Sequence, residues 1–199
     1  MDISVLFSAM PGAVAQGLIW GIMAIGVYIT YKILDVADLT VDGSMCTGGA
    51  VSIMMMLNGY NVWVSLLAAF IAGMLAGLVT GIFHTFMGIP AILAGILTQL
   101  ALYSINLKIM GRANQAISVM NYDLLVSLRN VKNVPFYQNS IFVVAIFCIV
   151  IIGVLYWFFG TELGCSLRAT GCNPNMSRAQ GINTNFNIVL GLMISNGLV

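Results

Sequence analysis

The chain has 199 residues, of which 60% are hydrophobic and only 7% charged, with a formal net charge of +1. Soluble domains carry about 25% charged residues, so a water-facing surface cannot be assembled from this composition. The near-neutral balance also gives no electrostatic footing for nucleic acid.

The seven basic and six acidic residues are segregated: residues 3–31, 43–107, 133–161 and 179–199 carry none. A bilayer crossing needs about 20 apolar residues. The stretch 43–107 therefore has room for about three crossings, and each of the others for about one. The apolar runs are continuous and do not alternate with period two, as barrel strands would. In hydrocarbon every backbone amide must be paired internally, which leaves helices. The expectation is an all-α, polytopic transmembrane helical bundle of five complete spans and a truncated sixth, folded as one transmembrane domain over 1–199 in the cell membrane.

Span one is placed at 13–34, with Pro11 and Gly12 just ahead of its start. It is read as a mature span and not a signal peptide: Asp2 is the sole early charge, and the apolar run outlasts an h-region. Span two follows Asp38-Leu39-Thr40-Val41-Asp42-Gly43-Ser44 and is placed at 45–57. Thr40, Asp42 and Ser44 can all cap a helix, and Gly43, Gly48 and Gly49 weaken it, so a broken or late-starting helix is expected. Asn58-Gly59-Tyr60-Asn61 reads as a tight turn. Span three, 62–86, carries Gly73, Gly77 and Gly81, a double small-xxx-small pattern that lets helix backbones approach closely in lipid.

Gly88-Ile89-Pro90 breaks the chain before span four, 91–107. Residues 108–138 are polar and hold Lys108, Arg112, Asp123, Arg129 and Lys132. Span five is 140–159. Span six starts near Phe186 and reaches Val199 without a polar tail, which suggests a fragment of a longer membrane protein. Gln16, Thr30, Ser52, Thr98, Gln99, Ser104 and Asn106 are polar groups inside spans. Such groups line a pathway or hold helices together. Asp38 and Asp42 either cap span two or form part of a gate. No acid or base falls mid-span, which speaks against a carboxylate proton relay.

No residue cluster suggests catalysis, a metal or a cofactor. His84 is the single histidine and reads as an interfacial group. Cys46, Cys148, Cys165 and Cys172 form no CxxC pair and read as free thiols. The methionines, including Met54-Met55-Met56, read as adaptable packing.

The segment 160–183 lies between two spans and contains two legible short helices. The first covers 163–170 and stops at Gly171. The second has Asn173 as N-cap, Pro174 at its first position and Gly181 as its stop. Arg168 and Arg178 stand beside small residues, a shape suited to docking on another protein or to an ordinary capped loop.

This segment resembles the cytoplasmic loop of the branched-chain amino acid and ribose-type permeases of ATP-binding-cassette importers. The matching residues are Gly164, Leu167, Arg168, Ala169, Gly171, Asn173, Ala179, Gly181 and Ile182. The element at 38–44 is similar to one at the start of span two in the sugar permeases, with Asp42 as an additional residue before the glycine. The closer resemblance is to a branch thought to carry amino acids, including aromatic ones. The resemblance covers nearly the whole chain.

It implies that Arg168, Ala169, Gly171, Asn173, Pro174, Arg178, Ala179 and Gly181 belong to a coupling helix region that docks on an ATP-binding subunit. It also implies an extracytoplasmic solute-binding protein, a second permease subunit, and no catalysis in this chain itself. Gln99, Thr98, Asp38, Asp42 and Ser44 are then the candidate pathway residues. It places the loop, Lys32 and His84 in the cytoplasm and 108–138 outside. Positive-inside counting leans the other way, with Lys108, Arg112, Arg129 and Lys132 against Lys32, Arg168 and Arg178; the motif is followed. The alternative class is a secondary carrier or channel that works without an ATPase, and within the importer class a sugar or nucleoside is the alternative cargo.

Overall fold

A computed structural model describes residues 3–115 and 140–199. Asp123, Arg129, Lys132 and most of the polar segment expected at 108–138 therefore lie outside the described residues. Every regular element among the described residues is helical: α1 (Ile3–Tyr28), a π-helical turn (Ile29–Ile33), α2 (Val41–Leu57), α3 (Val62–Thr85), α4 (Ala91–Met110), α5 (Ser140–Gly160), α6 (Glu162–Cys172), α7 (Pro174–Ala179) and α8 (Thr184–Leu198). Four stretches are long and apolar enough to cross a membrane: Met10–Ile33, Val62–Thr85, Ala91–Met110 and Ile141–Gly160. The protein is a multi-pass helical membrane protein.

Two sequence expectations fail at the first two spans. α1 begins at Ile3 and carries Pro11 inside it, not ahead of it. Proline removes one N–H from the ladder, but lipid offers no water to accept other freed backbone groups, so the helix persists around it. The second failure is at α2, which starts at Val41, four residues ahead of the expected 45, and runs unbroken through Gly43, Gly48 and Gly49. Gly43 serves packing: a Cβ there would lie 3.1 Å from the Gln99 Cα on α4.

What is broken is the approach to α2. The first span ends in a π turn, with Leu34 N–H donating to the Ile29 carbonyl (3.1 Å) and Val36 N–H to that of Thr30 (3.0 Å). Asp35 then takes φ +57°, a left-handed conformation that Asp tolerates better than most residues. Residues 35–40 are non-helical. They run into the bundle beside α4, where a Cβ on Gly95 would meet the backbone nitrogens of Leu39 (2.9 Å) and Thr40 (3.2 Å). α2 has 17 residues, about 25 Å of helix against a hydrocarbon core of about 30 Å. The non-helical residues lie within the bundle, where irregular backbone can be shielded from lipid.

α3 packs chiefly on α8 and then on α2; α4 closes against α2 and α3. α1 pairs with α5 and also touches α8, so α8 joins the two groups. The α3–α8 seam is a backbone contact. A Cβ on Gly73 would collide with the Asn196 carbonyl, and one on Gly77 with that of Leu192; one on Gly81 would sit 3.0 Å from the Val189 Cα. A buried apolar cluster lies at the hairpin end. There Ile29, Leu34 and Val36 meet Leu167 of α6 and Leu192 of α8.

Candidate functional site

Two arrangements can carry function: a polar cluster inside the bundle and the hairpin α6–α7 beneath it.

The polar cluster forms because residues 35–40 bring a carboxylate inward. Asp38 accepts the Thr40 N–H at Oδ1 (2.8 Å) and the Asn196 Nδ2 at Oδ2 (2.6 Å). Asn196 stands on α8 with its carbonyl against Gly73, near the middle of α3. Its amide folds back one turn to donate to the Leu192 carbonyl (3.0 Å). Asp38 sits in a short connecting segment by sequence; its side chain is half-buried and is bonded to Asn196 on α8.

Thr40, fully buried, is the N-cap residue of α2 but makes no side-chain cap bond. Its hydroxyl instead shares a 2.8 Å bond with Thr80 on α3. The local capping oxygen is that of Asp38. Asp42 and Ser44, also considered as caps, lie inside the first turn of α2. Asp42 is exposed, and Ser44 is buried with its hydroxyl donating to the Val41 carbonyl (3.0 Å). Thr98 is buried and donates to the Ala94 carbonyl (3.0 Å). Gln99 packs over Gly43. Gln16 and Ser104 face outward, while Thr30 is buried and bonded to Val27 O. Two buried side-chain oxygens have no hydrogen-bond partner among the described residues, Asn106 Oδ1 and Asn196 Oδ1.

Beside this cluster lies a cavity of about 490 Å³, lined by residues of α1, α2, α3, α5 and α8 that include Ser44, Ser52, Phe70, Phe147 and Asn196. Asn196, Thr80 and Thr47 were not singled out from the sequence. Their polar atoms stand in apolar runs: Thr47 bonds the Gly43 carbonyl of its own helix, while Thr80 meets Thr40 and Asn196 meets Asp38 only through the fold.

The hairpin is held against α5, the π turn and α8. Thr161 caps α6, accepting the Gly164 N–H (3.4 Å), and a Cβ on Gly164 would strike the end of α5 at Phe158 and Phe159. Arg168 donates to the Phe159 carbonyl (2.9 Å). A guanidinium at the carbonyl end of α5 is favourably placed in the helix dipole. Gly171 lies against the Ile33 carbonyl so closely that a Cβ would overlap it. Gly171 therefore does not end α6, as expected from sequence; α6 continues to Cys172 because that close approach demands the glycine.

Asn173 caps α7 by accepting the Met176 N–H (3.1 Å), Pro174 occupies the first helical position, and Gly181 takes φ +84° just beyond the end. Arg178 donates from Nε to Thr184 Oγ1 (2.6 Å) and from Nη2 to Asn185 Oδ1 (3.2 Å) at the start of α8. Asn187 of α8 donates to Thr170 Oγ1 (2.9 Å). Both arginines thus bind the hairpin to the bundle. Ala169 is half-buried and Ala179 exposed. The outward surface of α7 is Pro174, Asn175 and Met176, with Met176 61% exposed.

His84 Nδ1 is bonded to the Ile89 carbonyl (2.9 Å) at the end of α3. The four cysteines are free, with Cys148 buried and the other three exposed.

Comparison with known proteins gives this architecture a context. The family model described as branched-chain amino acid transport system / permease component matches residues 10–198. A tyrosine transport system permease protein of Clostridioides difficile (strain R20291) is 40% identical over 193 residues, which cover 96% of this chain and 62% of that protein. An uncharacterised protein of Rickettsia prowazekii (strain Madrid E) is 36% identical over 188 residues, 94% of this chain and 63% of that protein. The fructose import permease protein FruF of Bifidobacterium longum (strain NCC 2705) is 29% identical over 148 residues, 73% of this chain and 40% of that protein. The chain spans a little over three-fifths of the length of the first two relatives. No solved structure gives a significant match. With nearly all of its length matched, the chain belongs to the branched-chain amino acid transport system permease component family.

Proposed function

We propose that this chain is the membrane-spanning part of a permease subunit in an ATP-binding-cassette importer, and that its cargo is an amino acid. The hairpin at 160–183 is the cytoplasmic coupling loop of a single permease domain. It docks on a separate ATP-binding subunit, which carries out ATP hydrolysis. A solute-binding protein delivers cargo on the opposite side, and a second permease subunit completes the pathway. Within this chain α2 is a shortened crossing and α8 is the start of a sixth. Asp38, Asp42, Ser44, Thr98 and Gln99 border the pathway.

The observation that carries this reading is the hairpin. It is fixed to α5, to the π turn and to α8, yet leaves the tip of α7 uncovered. A rigid lever with a free apolar tip suits a partner that pushes on it. The named tyrosine permease supports an amino acid cargo, while the fructose permease, at lower identity, supports a sugar as the second reading.

The test is Met176→Glu in the full-length permease expressed with its ATP-binding subunit. A buried anchor replaced by a charge lowers affinity about tenfold or more. Co-purification and stimulated ATP hydrolysis should both fall. Unchanged association would remove the docking assignment.

A further inference from the structure

The turn that joins α3 to α4 presents two large apolar side chains at its tip: Phe86 is 74% exposed and Met87 63%. Hydrogen bonds fix the frame behind them. Met87 N–H reaches the Ile82 carbonyl (3.4 Å), Ile89 N–H reaches that of Phe83 (3.2 Å), and His84 Nδ1 is bonded to the Ile89 carbonyl (2.9 Å). Gly88 takes φ +68° to close the turn. Both side chains are therefore held outward before any partner arrives, and a surface ordered in advance loses less entropy on binding.

The turn lies at the hairpin end of the molecule. α3 runs antiparallel to α8, with Gly73, Gly77 and Gly81 set in order against Asn196, Leu192 and Val189. Continuing that register by one helical turn brings Thr85 level with Asn185. Asn185 and Thr184 are the residues that hold Arg178 of α7. The α3–α4 turn and α7 thus flank the same end of α8, and each offers an exposed methionine, Met87 and Met176.

The tip differs in chemistry from the neighbouring lipid-facing ends. At this end of the bundle α1, its π turn and α5 expose Tyr28, Tyr31, Tyr156 and Trp157, aromatic residues whose polar atoms suit the headgroup layer. Phe86 and Met87 have no donor for that layer, and residues 43–107 contain no Asp, Glu, Lys or Arg to anchor the turn in it. Phenylalanine and methionine in the absence of charge is the composition of the centre of a protein–protein contact. Left in water, the pair would be an uncovered apolar patch.

We propose that the α3–α4 turn is a second docking point for the ATP-binding subunit, met beside α7. This deepens the permease reading and rests on it. Phe86 and Met87 seat in an apolar recess of that partner, apart from the contact made by Met176. Because α3 and α8 touch backbone to backbone, a partner that grips both the turn and the hairpin moves the two helices as one body.

The experiment uses the full-length permease expressed with its ATP-binding subunit. Photoreactive p-benzoylphenylalanine replaces Phe86 or, separately, Met176, and the membranes are irradiated. The substituted ring keeps an aromatic group at the tip. Both positions should crosslink to the ATP-binding subunit, at different peptides by mass spectrometry. Phe86→Ser combined with Met87→Ser should weaken association about tenfold while the Tm of the permease alone stays unchanged.

Adducts from position 86 with lipid only, or with a second permease copy only, would overturn the proposal, and so would unchanged association of the double variant. A crosslink from 176 without one from 86 would remove the second docking point and leave the importer reading standing. No crosslink from either position would remove the docking reading itself and this proposal with it.

Discussion

Thr80 on α3 and Thr40 ahead of α2 are both fully buried and share one hydrogen bond. Bonds of this kind between membrane helices contribute about 0.6 kcal/mol on average and rarely more than about 1.7 kcal/mol. Gly77 is a different case, because nothing can be added there without separating α3 from α8. Thr80→Val should therefore lower the stability of the full-length protein by less than about 1 kcal/mol, and Gly77→Leu by about 1–3 kcal/mol or more. Thermal unfolding in detergent would rank them, and the reverse order would contradict the backbone seam. The glycine spacing was legible in the sequence because a period of four on one helix marks one face. The partner face was not, since α8 carries no matching pattern and offers its own carbonyls. Asp38 was singled out as a cap or gate residue, but its partner Asn196 on α8 was not. An asparagine in an apolar run gives no sign of its partner until the fold brings the segment 35–40 beside α8.

At the scale of elements, the α6–α7 hairpin was the most readable part of the chain. Asn173, Pro174 and Gly181 punctuate α7 as short helices require, and the structure places all three in those positions. Gly171 was misread as a stop because a glycine near a helix end has two uses, termination and close approach. Here the second use prevails, against the Ile33 carbonyl. The two residues should separate in their effects. Asn173→Ala removes a cap worth about 1 kcal/mol and should loosen α7 alone, seen as faster amide hydrogen exchange confined to the hairpin. Gly171→Val should press on the π turn and lower the stability of the whole protein by about 1–3 kcal/mol, seen as a lower Tm. Equal global destabilisation by both would show that α7 is not a separable unit.

Across the whole molecule, composition alone specified helices in lipid, because so few charges leave no other solvent. It did not specify the depth of each element. α2 is shorter than the four spans, and the non-helical residues 35–40 precede it. Orientation is the property that charge counting and motif assign differently. Cys172 offers a direct reading, since it is exposed on the hairpin. In membrane vesicles holding the full-length permease, a membrane-impermeant maleimide should label Cys172 when the cytoplasmic face is outward and spare it when that face is inside. The opposite pattern would reverse the topology and follow the basic residues flanking α4.

The π turn at Ile29–Ile33 has a further consequence. Its carbonyls at Ile29 and Thr30 are reached from five and six residues downstream, where an α-helix would be closed from four. Each additional residue held in one turn rotates everything after it by about 100° relative to a regular helix. The faces of α1 that meet α5 and the residues that lead to Asp38 are thus phased independently, as two rulers joined with an offset. Among relatives of this protein, a one-residue difference in length can be absorbed at this joint, with an alignment gap here and no change in which side chains meet on either side of it.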